Sequence, residues 1–146
     1  MKPSPPALEP VAQINQRFLI WTTTMLRLMR RWPIEETREL RATLRELMLG
    51  VMRSLTRAEQ PSSWRWERSD LHDANNELVA VLLWCRIAGR LGYLPSTKAT
   101  AMATDIHTLR TSLEKQLRIR GSAWREQDRE DRARKAAART PRRRVS

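Results

Sequence analysis

A chain of 146 residues carries 28 lysine and arginine residues against 16 aspartate and glutamate, for a formal net charge of +12. That length suits one domain and excludes two sizeable cores. Hydrophobic residues make up 40% of the chain, enough for a packed core; only four glycines occur, and the eight prolines sit mainly at the ends and between periodic segments, which suits long helices and speaks against a β-protein.

Residues 1–9 are proline-rich and are expected to be disordered. A stripe then begins with Val11, Ile14, Phe18, Trp21, Met25, Leu28 and Trp32, whose alternating steps of three and four place it on one helical face. Pro33 ends that helix and suits the first turn of the next, where Glu35 and Glu36 complement the helix dipole. The second helix carries Leu40, Leu44, Leu47, Val51 and Leu55 and ends before Pro61. A loop is expected over Pro61-Ser62-Ser63-Trp64-Arg65-Trp66, with Ser69 as N-cap of a third helix bearing Leu71, Ala74, Leu78, Val81, Cys85 and Ala88. Gly92 and Pro95 stop it. Ser96 or Thr97 starts a fourth helix with Ala99, Met102, Ile106, Leu109 and Leu113 on its face. Four such helices joined by short connections predict an all-α, up-down-up-down four-helix bundle over residues 10–120.

Residues 121–146 differ in kind. They hold nine basic and four acidic residues and, apart from Trp124, almost no large apolar ones, so they read as a disordered basic arm ending in Arg142-Arg143-Arg144. The first 120 residues are basic without it, with 19 basic against 12 acidic residues. The lone Cys85 excludes an internal disulfide and fits a reducing compartment. No apolar stretch of a secretory signal follows Met1, and the longest apolar run, residues 78–85, is too short to span a bilayer. A cytoplasmic protein without a membrane segment is expected.

Arginine dominates the charge, and its planar fork matches phosphate oxygens and stacks on bases. Arg38, Arg41 and Arg45 share one flank of the second helix. Arg86 and Arg90 stand one turn apart on the third, within the most apolar part of the chain. Arg27, Arg30 and Arg31 crowd the end of the first helix, where cations also favour the C-terminal dipole. Trp64-Arg65-Trp66 suits stacking on unpaired bases, although a lid over the open end of the bundle is favoured. Leu83, Trp84 and Ile87 fall off the main stripe of the third helix, as do Leu19, Leu26, Leu49 and Met52 on the first two. Apolar surplus on three helices points to a shared homo-oligomeric interface.

Nothing assembles into a catalytic constellation: the sequence has no glycine-rich phosphate loop, no nucleophile elbow and no repeated Cys/His spacing. His72 and His107 are isolated, and Ser69 and Thr104 stand where a di-iron Glu-x-x-His motif needs glutamate. No enzyme, metal or cofactor is expected.

Two segments carry a resemblance. Arg30-Arg31-Trp32-Pro33 leads into a helix running from Leu40-Arg41 to Arg57-Ala58, and the third helix ends in Leu83-Trp84-Cys85-Arg86-Ile87-Ala88-Gly89-Arg90-Leu91-Gly92-Tyr93-Leu94. Over about residues 14–120 the chain resembles the accessory variability determinant (Avd) proteins of diversity-generating retroelements, and the related four-helix proteins encoded in ribosomal RNA intervening sequences. The resemblance implies a homopentameric barrel with a basic surface that associates with a reverse transcriptase and its template-repeat RNA. Such a subunit supports mutagenic cDNA synthesis without catalysing it. It implies Arg86 and Arg90 as basic contact positions, with Arg38, Arg41 and Arg45 added from spacing. The arginine arm departs from the short-tailed pattern. Two rival readings are a free-standing oligomer of the intervening-sequence type and a DNA-binding regulator; the latter is disfavoured because no short recognition-helix turn is visible.

Overall fold

The computed structural model describes residues 8–139. They form α1 (Val11–Met29), α2 (Arg38–Glu59), α3 (Trp64–Arg90) and α4 (Ser96–Arg139), with no strand among the described residues. Each helix packs on its sequence neighbour, and α1 closes the ring against α4. The start of α1 meets the end of α2 where the Asn15 amide donates to Thr56 and Glu59. The end of α2 meets the start of α3 where Arg57 pairs with Asp70 at 3.1 Å. Neighbours are therefore antiparallel, as the up-down-up-down expectation requires.

The core follows the expected stripes closely. Ile14, Phe18, Met25, Leu44, Leu55, Leu71, Leu78, Ile106 and Leu113 are fully buried. Phe18 and Trp21 stack at 5.7 Å, and the Trp21 indole donates to the Met102 carbonyl of α4. On α2 the buried position is Met48, and Leu47 packs at its edge. At the α3 end Gly92 takes φ 84°, the Tyr93 N–H reaches the Ala88 carbonyl and the Gly92 N–H reaches that of Gly89. This is a Schellman cap, and the left-handed residue that it needs is the glycine. Gly50 serves a different end: a Cβ there would meet the Glu77 carboxylate at 1.9 Å, and that carboxylate lies across α2 to accept from Ser54.

Three expectations are corrected. First, α3 begins at Trp64, not after a loop reaching Trp66, because the Ser63 hydroxyl caps it by accepting from the Trp66 N–H. Ser69 lies inside the helix. Second, α2 starts at Arg38, while residues 34–37 form a turn in which the Thr37 hydroxyl bonds back to Pro33. Third, α4 does not end near residue 120; residues 121–139 continue it, so they are no disordered arm. Trp124 is buried and donates to Glu67, while Trp64 donates to Asp131. Arg120 pairs with Glu67 at 2.8 Å, and Arg65 sits 3.8 Å from both Asp128 and Asp131. The start of α3 and the far half of α4 thus form a two-helix projection beyond the four-helix body.

Of the N-terminal tail, residues 1–7 lie outside the described residues, but Glu9 is held. Its carboxylate accepts from Arg17 and Ser112, and its carbonyl accepts from Gln116. Burial pushes the Glu9 pKa up, yet the hydrogen bonds from Arg17 and Ser112 and the arginine charge outweigh it, leaving it below the ordinary glutamate value.

Candidate nucleic-acid interface

The bundle brings the end of α1, the start of α2, the end of α3 and the start of α4 to one end of the molecule. There Trp32 is buried and faces Tyr93 at 5.8 Å, so the turn after α1 meets the cap of α3. Arg30 and Arg31 are exposed on the turn above them.

Arg86 and Arg90 are exposed on α3 and border a groove of about 430 Å³ against the start of α4. Gly89, Ala99 and Ala103, which are half-buried, line it together with exposed Thr100, Thr104 and His107. Small residues here are what let the helices close: a Cβ on Gly89 would already meet the Ala99 Cβ at 3.1 Å. Arg86 Nη2 lies 3.5 Å from His107 Nε2. Among the described residues no carboxylate pairs with either arginine, so their charge faces solvent over a hydroxyl-lined concavity. The forked N–H donors of the two arginines suit phosphate oxygens, while the Thr104 hydroxyl proton is committed to the Thr100 carbonyl.

The other expected positions divide. Arg38 is exposed and 3.7 Å from an equally exposed Glu35, a pair of small energetic weight. Arg45 is exposed and makes no ion pair among the described residues. Arg41 is different. Its Nη2 donates to the Ile34 carbonyl at 2.8 Å and its Nε is buried, so it holds the α1–α2 turn. Arg142, Arg143 and Arg144 lie outside the described residues.

Leu83 is 55% exposed and Val79, one turn earlier, 42%. Ile87 is half-buried, and Trp84 packs against the core, where an outward third side had been expected. Leu19, Leu26 and Leu49 are exposed, while Met52 is half-buried against the core. The tryptophans of the expected loop also divide: Trp64 is tied to Asp131 with Arg65 over its ring, and Trp66 is 62% exposed.

Sequence reasoning set His107 aside as isolated, and the structure places it across the groove from Arg86. The signal for His107 was the four-residue step from Ala99 and Ala103, which puts it opposite Arg86. Cys85 is buried, and burial pushes its thiol up to about 12, which removes it as a nucleophile at neutral pH. No three His, Cys, Asp or Glu side chains converge as metal ligands among the described residues, and no described helix is long and apolar enough to cross a membrane. No protein-family model, curated protein or solved structure matches this chain.

Proposed function

We propose that this chain is a non-catalytic, nucleic-acid-binding subunit that grips the phosphate backbone of RNA in the α3–α4 groove. The observation that carries the reading is the pair Arg86 and Arg90, free of carboxylates among the described residues and set beside His107 in the groove. The net charge of +12 supplies the longer-range attraction. The family resemblance takes the reading further. The RNA is then a template-repeat transcript, the second partner a reverse transcriptase, and the working form a homopentamer that supports mutagenic cDNA synthesis.

Replacing both arginines with glutamate tests it. Both side chains are exposed, so helix content and thermal stability should stay within about half a kcal/mol of the parent. Affinity for a labelled single-stranded RNA, read by fluorescence anisotropy, should fall on the order of a hundredfold, because attraction becomes repulsion. A folded, assembled double variant that binds as the parent does would sink the reading. Co-expression with a reverse transcriptase encoded beside this gene tests the finer statement. Failure to co-purify, with RNA binding intact, assigns the chain to the free-standing intervening-sequence type.

A further inference from the structure

The groove at Arg86 has a counterpart on the projection. Arg68 and His72 stand on α3 eighteen residues before Arg86 and Arg90, with the same four-residue step between them. On α4, Gly121 and Arg125 stand eighteen residues after Ala103 and His107. Arg68, His72, Gly121 and Arg125 line one concavity of about 260 Å³. Eighteen residues are five full helical turns, so the two sets share one face, about 27 Å apart at 1.5 Å per residue. Because α3 and α4 run antiparallel, the shift is matched on both, and each concavity joins two basic or imidazole groups of α3 to one of α4.

The electrostatics repeat in part, since Arg68 and His72 also border an adjoining concavity that holds Asp128. Most acids of the projection are turned to internal work: Glu67 holds Trp124 and Arg120, Asp131 holds Trp64, and Asp128 holds Arg132, while Glu126 is exposed. Arg68 and His72 make no ion pair among the described residues, and the Arg125 guanidinium meets only the Ser122 hydroxyl, at 3.3 Å. Between the two concavities the single acid on this face of α4, Glu114, is paired with Arg110 at 3.1 Å. One face of the molecule therefore offers two cationic stations in phase, with exposed Val79 and Leu83 on α3 and exposed Arg118 on α4 between them.

We propose that the two stations form one track, and that its ligand is a continuous nucleic-acid backbone long enough to touch both at once. This rests on the function proposed above and adds a second site to it. A rigid spacing favours a polymer of regularly placed phosphates, since engaging one station holds the strand close to the other and makes its capture effectively intramolecular. A single phosphate or a short oligonucleotide gains nothing from the second station.

The test uses the full chain with Arg68→Gln and Arg125→Gln together, a charge-matched control with Arg27→Gln and Arg53→Gln, and labelled oligouridines of about 20 and about 3 nucleotides. The station variant should bind the long oligomer at least about tenfold more weakly and the short one within about twofold of the parent. Its salt dependence on the long oligomer should become shallower by about 1.4 log units per log unit of salt, for two lost single-strand phosphate contacts. The control should lose far less. Circular dichroism establishes that the helices persist. A station variant whose affinity and salt slope match those of the control overturns the track and leaves the Arg86 groove standing. So does one that keeps RNA binding but loses an acidic protein partner. Failure of the parent chain to bind either oligomer overturns both proposals.

Discussion

Thr22 faces the core at 4% exposure, and its hydroxyl finds no partner among the described residues. A buried hydroxyl without a partner costs about 1–3 kcal/mol of lost hydration. Valine nearly matches its shape, keeps the β-branch and removes the orphaned group. Thr22→Val should therefore stabilise the fold by about 1 kcal/mol, visible as a rise of a few degrees in Tm; a fall in Tm would show that the hydroxyl is satisfied in solution. Arg41 shows what spacing conceals at this scale. It shares a helix flank with Arg38 and Arg45, and only the path of the preceding turn, which brings the Ile34 carbonyl within 2.8 Å, turns it from a surface charge into a brace. The buried stripes were legible because each follows from helical period alone. Arginine roles were less so, since they depend on which neighbouring chain comes within reach.

At the scale of elements, residues 121–139 show how composition misleads. Dense charge and scarce apolar side chains read as an arm, yet no proline occurs there and alanine, arginine, glutamate and glutamine are strong helix formers. Asp128 with Arg132 and Glu130 with Arg134 add pairs one turn apart. Trp124 supplies the buried anchor, with Gln116 one face-repeat before it. Hydrogen bonding from the Trp64 indole, assisted by Gln127, Arg134 and Arg65, holds the Asp131 carboxyl below its usual range. A depressed folded pKa contributes stability that is complete above the unfolded aspartate value of about 3.9 and is lost as pH falls through the lower folded value. Tryptophan emission should accordingly shift to the red in that acid window as the projection loosens. Asp131→Asn should abolish that component; an unchanged acid transition in the variant would place its origin elsewhere.

For the molecule as a whole, the bundle accounts for its own core but leaves Leu19, Leu26, Leu49, Val79 and Leu83 exposed. They occupy three helices, more than scattered single residues explain. Light scattering at micromolar concentration should return a multiple of 17.1 kDa, with five copies expected from the family resemblance. A mass of one subunit would remove the oligomer and the pentamer with it. The four-helix body was readable from the sequence because each helix announces its own buried face. The projection was not, because its two halves lie far apart in the chain and each is too polar to announce a face alone.

Chain length within α4 carries information of its own. The helix is unbroken for 44 residues, about 66 Å, and belongs to the body at one end and the projection at the other. One residue inserted between Leu113 and Trp124 would turn everything beyond it by about 100°. Trp124 would swing away from Glu67, Asp131 from Trp64, and Arg125 from the groove it lines with Arg68. Insertions or deletions in this stretch are tolerable only when matched on α3 and sized to whole turns. Seven residues on each helix would drift by about 20°, an error that side chains can absorb. Among descendants of this sequence, the projection should vary in length by such paired steps, while its surface residues outside the Arg68 and Arg125 concavity change freely.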